Sequence, residues 1–242
     1  MMFVGILFSA IHFFEVLAYV ARMSGYSVGR PASAYALYNT VFILTRLFTM
    51  TMLPSLGMIV DTGMTLRSYY IGCIISIALA TASSCFIYLR LDIYASRFSR
   101  ILNSQYSGVR LIYQIIGSIF SFGVSDANIP VLNPSSAIRM KIFWVSAFVH
   151  FIYSSSILFM FSLALAIPEY RTSLSHLSGF INAFGAVLLT FWIEPKISYA
   201  VDQGVDGGAD GARLIKAVLL GRIFGISVIS SAFFSLQLFI YS

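Results

Sequence analysis

The sequence predicts an all-α polytopic membrane protein. About six transmembrane helices form two inverted three-helix repeats, joined by a basic interfacial linker. Three observations carry this prediction. The 242 residues are 59% hydrophobic and 10% charged, with a mean hydropathy of +0.88, whereas soluble domains carry about 25% charged residues. Apolar runs of about 20 residues, the length that crosses a bilayer, recur six times, at about 3–22, 34–54, 68–90, 141–167, 174–195 and 214–240. The basic residues collect on one side of the resulting topology.

The first run lacks a basic flank and contains His12 and Glu15, so it is expected to be an uncleaved span rather than a signal peptide. Its polar residues His12, Glu15, Tyr19 and Arg22 fall within roughly 80° of one helical face at 100° per residue. That face should look inward. Glu15 and Arg22 then pair directly or through Tyr19, or Arg22 snorkels to the headgroups.

The second run reads AYALYNTVFILTRLFTMTML from Ala34 to Leu53, followed by Pro54, which is expected to end the span. Tyr35, Asn39, Arg46 and Thr49 share one face by the same arithmetic. A cation as deep as Arg46 is unfavourable by roughly 2.5–3.5 kcal/mol on insertion scales and usually marks a functional site. Two readings stay open. Arg46 forms an internal salt bridge with Glu15, or it holds an anionic group with the planar fork that suits phosphate.

The third run holds Cys73 and Cys85, about 18 Å apart along one helix. They pack rather than bridge. The chain thus divides into a first three-helix unit, 1–90, a linker, 91–140, and a second unit, 141–242. In the linker, Arg97 and Arg100 with Phe98, Ile101 and Leu102 suit a helix lying in the membrane interface. SDANIPVLNPSS is turn chemistry.

The second unit echoes the first. SAIHFF (Ser9–Phe14) recurs as SAFVHF (Ser146–Phe151), Asn39 as Asn182, the span-ending Pro54 as Pro195, expected to end its own span, and Val60–Asp61 as Val201–Asp202. An odd-numbered unit repeated once reverses orientation, the plan of transporters with a site at the repeat interface. The last run contains Arg222, with Lys216 and Arg213 toward its start and within snorkelling reach. Ser227, Ser230 and Ser231 favour close helix packing. The preceding loop, DQGVDGGADGAR, lacks the calcium-loop pattern, and Asp210 suits a helix N-cap.

With six spans, one side carries Arg67 and Arg171. The other carries Arg22, Arg30, Arg90, Arg97, Arg100, Arg110, Arg139, Lys141, Lys196, Arg213 and Lys216. Positive-inside logic makes the basic side cytoplasmic and places both termini outside. A seventh span at 111–132 would nearly erase the asymmetry, so an amphipathic or re-entrant segment is expected there.

Catalytic signatures are absent from the sequence. His12 and His150 have no metal-ligand spacing, and there is no HExxH, phosphate-binding glycine loop, nucleophile elbow or CxxC. An enzyme, a metal and a cofactor are therefore not expected. Nucleic acid is not expected either, because membrane orientation already explains the net charge of +6.

HFFEVLAYVARMSG (His12–Gly25), GRPASAYALYNTVFILTR (Gly29–Arg46) and PSLGMIVD (Pro54–Asp61) resemble the Amj family of bacterial lipid II flippases, functional alternates to MurJ in peptidoglycan synthesis. The resemblance is strongest over about the first 65 residues. It implies a bacterial cytoplasmic-membrane protein that translocates lipid II by alternating access, with lipid II and membrane lipids as partners; a homodimer fits the reading. Lipid II carries a diphosphate between a polyprenyl tail and a sugar-peptide head. Arg22, Arg30, Arg46 and Arg222 would then bind the diphosphate. His12, Glu15, Tyr19 and Asn39 would shape the cavity, with Glu15 taking a coupling proton or freeing Arg46 by exchanging partners. The alternatives are a carrier of another anionic polyprenyl-linked sugar or a small organic anion, and a membrane assembly factor whose buried charges only pair helices.

Overall fold

Glycine and proline set where each helix stops and starts. In the computed structural model, which describes residues 1–104, 108–120, 133–203 and 209–241, helix α1 spans Met2–Val28 and ends at Gly29. Gly29 has φ +63° and donates its N–H to the Gly25 carbonyl, the left-handed cap that glycine adopts without a steric penalty. Pro31, pre-set for a first helical turn, opens α2 (Pro31–Asp61). Thr65 caps α3 (Leu66–Leu89) by accepting the Ser68 N–H.

Two shorter helices follow, α4 (Leu91–Asn103) and α5 (Gly108–Phe120), then α6 (Pro134–Arg139) and α7 (Lys141–Ala166). Helices α8 (Arg171–Leu188) and α9 (Glu194–Gln203) are joined end to end by a π-helical turn, Leu189–Ile193. Helices α10 (Ala209–Phe224) and α11 (Ser230–Ile240) are joined in the same way by Gly225–Ile229. Among the described residues there is no strand. Six rods are long and apolar enough to cross a membrane: Met2–Gly25, Pro31–Asp61, Leu66–Leu89, Lys141–Ala166, Pro168–Ala200 and Gly211–Ile240.

Neither proline ends its span as the sequence suggested. Pro54 lies inside α2, which continues to Asp61, and Pro195 lies at the second position of α9. A proline in a helix removes one backbone hydrogen bond, a defect that spanning helices tolerate when neighbours re-satisfy the freed carbonyl. At Pro195 the adjacent π-helical turn absorbs the misfit.

Helices α1 and α7 are the central, most buried rods; α1 packs against α2 and α3, and α7 against α8 and α10. Helices α2 and α8 turn large apolar side chains outward, including Ile43, Leu47, Met50, Phe180 and Phe184. So much exposed apolar surface belongs in contact with lipid. Cys73 and Cys85 are free thiols in α3.

Close approach of α10 to α7 depends on Gly221 and Gly225, four residues apart. A Cβ at either would be driven into the carbonyl oxygen of Phe143 or Ala147. This is the small-residue spacing by which membrane helices pack backbone to backbone. Next to it, the Ser155 hydroxyl donates to Ser230 Oγ at 2.8 Å. Gly221→Ala and Gly225→Ala are each expected to destabilise the protein by roughly 1–3 kcal/mol through overpacking, read as lower melting temperatures in detergent. Gly57→Ala, with open space around it, should leave the melting temperature unchanged.

The linker differs in detail from expectation. The apolar face of α4, with Tyr94, Phe98, Ile101 and Leu102 buried, packs on α1. Burial of that face against α1 satisfies its amphipathicity within the protein. The interfacial pattern appears in α5, where Val109, Ile112, Tyr113 and Ile116 are all exposed. Their i, i+3, i+4, i+7 spacing makes one apolar stripe. At 13 residues, about 20 Å, α5 is too short to span. Residues 121–132, most of the expected amphipathic or re-entrant segment, lie outside the described residues, as do the middle of the aspartate-rich loop and the side chain of Asp210.

Candidate functional site

The polar face read on α1 meets partners from both halves of the chain. Near mid-span, Arg222 of α10 donates to the Glu15 carboxylate, and its Nη2 lies 2.7 Å from His12 Nδ1. His12 Nδ1 is 3.2 Å from Glu15. All three are 0–1% exposed. From α7, Tyr153 faces Glu15, and His150, also buried, holds its Nδ1 2.8 Å from the Ser146 carbonyl. His12 Nε2, Glu15 Oε1 and His150 Nε2 have no protein partner.

A second cluster lies toward the basic end of α1. Arg22 Nη1 donates to the Glu194 carboxylate at the start of α9, and Nη2 donates to Ser198 Oγ at 2.8 Å. The Tyr38 hydroxyl donates to the other Glu194 oxygen at 3.1 Å. The Arg22 guanidinium lies 4.9 Å from the Tyr35 ring centre and 5.5 Å from that of Tyr38, within cation–π range. Tyr19 packs its ring 5.5 Å from Tyr38.

Arg46 is placed differently. It is the central residue of the α2 span and is exposed on it. It pairs with no carboxylate among the described residues; its guanidinium lies 6.0 Å from the Phe42 ring. Thr49, one turn further on, lines a narrow pocket with His12, Met52, Tyr153, Ser154 and Asn182. The pocket therefore opens between α1, α2, α7 and α8. Asn182 Oδ1 is buried there without a partner. Helices α2 and α8 make at most slight contact with each other, and the pocket lies in the cleft between them. Its basic end is closed by the Arg22–Glu194–Tyr38 contacts. At its far end Arg171 and Asp61, both solvent-accessible, approach to 3.6 Å.

The Glu15–Arg46 salt bridge is not formed, because Arg222 already holds Glu15; Arg46 is exposed on α2, on the same stripe as Ile43, Leu47 and Met50. A direct Glu15–Arg22 pair is not formed either: the two side chains find separate partners on α10 and α9. Arg22 and Arg222 do not snorkel, being 5% and 1% exposed. Arg30 is exposed at the start of α2 and donates to the Leu102 carbonyl at 2.8 Å. Asn39 is exposed on α2. Among the described residues, no group of His, Cys, Asp and Glu could hold a metal ion.

Several residues of the site escaped the sequence reading. Glu194 and Ser198, spaced i, i+4, gave the signal of one helical face gripping a partner, but the proline beside Glu194 suggested a span end. Tyr153 sits in an apolar run that gave no periodic polar signal, and His150 reads there only as the echo of His12.

A helical membrane protein with six candidate spans, an ion pair buried at mid-span and a further arginine exposed in the middle of a span is the class that fold and site define. The chain belongs to the Amj family, described as alternate to MurJ, whose family model matches residues 7–235. It is similar to the lipid II flippase Amj of Bacillus subtilis (strain 168), with 26% identity over 216 residues that cover 81% of this chain and 78% of that protein. No solved structure gives a significant match. The resemblance seen in the first 65 residues thus extends over nearly the whole chain.

Proposed function

We propose that this protein is a flippase for lipid II in the bacterial cytoplasmic membrane, multi-pass, with both termini outside. The observation that carries the reading is Arg46, a cation exposed at the centre of a spanning helix and without a carboxylate partner among the described residues. An intramembrane cation of this kind is a ligand site by default, and its fork matches a diphosphate. The cleft between α2 and α8 offers the polyprenyl tail a lateral path in lipid while the head follows the polar residues. Arg30 at the basic end meets substrate first; Arg22, Arg46 and Arg222 follow along the path. His12, Glu15, Tyr19 and Asn39 line or support it, and Glu15 with His12 can exchange a proton as Arg222 changes partner. The parallel placing of α1 and α7 as central helices supports two inverted three-helix units, 1–90 and 141–242, that rock about the site in alternating access. The protein makes or breaks no covalent bond in this cycle.

The test is transport in reconstituted vesicles with lipid II and an unrelated polyprenyl-linked sugar compared. Translocation of lipid II above protein-free vesicles, with the other lipid slower, is the expected result. Equal rates for both would make the protein a broader carrier of polyprenyl-linked sugars.

A second reading has an observation in its favour: Arg22 and Arg222 are both neutralised by carboxylates, as in an assembly factor whose charges only join helices. Exchanging Glu15 and Arg222 discriminates. A purely structural pair survives the exchange with function intact, whereas a substrate-binding arginine does not.

A further inference from the structure

Glu194 holds a position that an anionic ligand would take. Three donors converge on the acceptors of α9: Arg22 Nη1 and the Tyr38 hydroxyl on the Glu194 carboxylate, and Arg22 Nη2 on Ser198 Oγ at 2.8 Å. The donors belong to α1 and α2 and the acceptors to α9. Arg22 is 5% exposed and its guanidinium is oriented between the rings of Tyr35 and Tyr38. Both prongs of the fork and the phenol point at acceptors only, and phosphate oxygens are acceptors only.

The surroundings suit exchange. Glu194 is 14% exposed at its side chain, so it is not sealed from the surroundings. Lys196, two residues on, is exposed and adds positive charge beside the site. Helix α9 is joined to α8 by the π-helical turn Leu189–Ile193 and carries Pro195 in its first turn, so its backbone ladder is weakest next to the latch. From Arg22 a continuous series of rings leads inward: Tyr38 to Phe42 at 5.8 Å, then Phe42 to the Arg46 guanidinium at 6.0 Å. Arg22 and Arg46 therefore stand at the two ends of one series of rings.

We infer that the Glu194 carboxylate occupies a diphosphate site built from Arg22 and Tyr38, and that a lipid-linked diphosphate arriving from the basic side displaces it and frees α9. The identity of that lipid rests on the flippase reading above; the displacement does not. Glu194 is in these terms an internal competitor. It keeps Arg22 compensated when no substrate is present, and its departure opens the end of the cleft through which the head group enters.

The test uses the full chain in nanodiscs containing phosphatidylglycerol, with Cys73→Ala and Cys85→Ala as background. Spin labels are placed at Ala36→Cys on α2 and Tyr199→Cys on α9, both exposed positions. Lipid II, a sugar-free polyprenyl diphosphate and inorganic pyrophosphate are added in separate arms. The diphosphate lipids are expected to populate a longer label separation that phosphatidylglycerol alone does not. Glu194→Gln should show that separation without ligand. If the open form of the native protein is about 10% populated, Glu194→Gln should bind the polyprenyl diphosphate about tenfold more tightly. Arg22→Gln should open without ligand and lose the tighter binding.

The inference is overturned if Glu194→Gln keeps the native separation and affinity. It is also overturned if no diphosphate lipid changes the separation in the native chain, a result that stands even where a variant fails to fold. Opening by pyrophosphate alone would make the site one for free diphosphate and overturn the lipid-linked assignment. Opening by the sugar-free diphosphate lipid but not by lipid II would leave the displacement intact and overturn the lipid II reading.

Discussion

Glu15→Ala is expected to abolish accumulation of folded protein. The substitution leaves Arg222 as an uncompensated cation at 1% exposure, and breaking a buried pair from one side costs on the order of 3–5 kcal/mol. That is a large part of the 5–15 kcal/mol by which a typical domain is stable. Glu15→Gln with Arg222→Gln should recover most of the loss, because neither side chain then carries a charge that needs a partner. The measurement is a double-mutant cycle on melting temperature in detergent, with the amount of folded protein in membranes as a second readout. Additive effects of the two single substitutions would show that the contact contributes nothing as a pair. His12→Phe, which removes the imidazole beside Arg222, should lower the melting temperature less than Glu15→Gln, since it leaves the counter-ion in place.

The opposite pattern is expected at Arg46. Arg46→Ala should lower lipid II transport about 10- to 100-fold, the worth of one or two hydrogen bonds to a charged group. The melting temperature should stay within the change seen for surface substitutions, about 0.5 kcal/mol, because no carboxylate is left behind. Arg46→Lys should recover only part of the rate, since an ammonium keeps the charge and loses the planar fork. Transport is read in reconstituted vesicles at matched protein amounts. Full activity in Arg46→Ala would remove Arg46 from the substrate path and leave the reading in which the arginines only join helices.

Residues 15 and 222 also show where sequence reading stops. The six rods were legible because each needs a long apolar run, and such a run is a local property. The polar face of α1 was legible too, since His12, Glu15, Tyr19 and Arg22 share a helical angle whatever lies opposite. What lies opposite is not local. Arg222 meets Glu15 across 207 positions and Glu194 meets Arg22 across 172. Nothing in one helix states which other helix it faces. Arg46 was the natural partner to expect for Glu15, because the two lie at similar depth on neighbouring helices. The structure leaves Arg46 exposed on α2 instead. The π-helical turns were hidden for a related reason: they depend on how α7 and its neighbours constrain the rods, and their sequences, LTFWI and GISVI, read as ordinary apolar helix. Pro195 was seen but taken as an ending, when it is one part of an irregular joint that the rod passes through.

The lengths of the rods beside the cleft have a consequence for the lipid around them. Pro31–Asp61 and Pro168–Ala200 contain 31 and 33 residues, about 46 and 50 Å at the helical rise of about 1.5 Å. The hydrocarbon layer is about 30 Å thick. Even at the steep limit of about 40° seen for membrane helices, each rod projects further than that layer. Their ends must stand in the headgroup zones of both leaflets. The two walls are thus taller than the barrier itself, and a polar head held between them meets protein at every depth from one aqueous surface to the other. Hydrophobic mismatch of this sign also couples the tilt of both walls, and with it the width between them, to bilayer thickness.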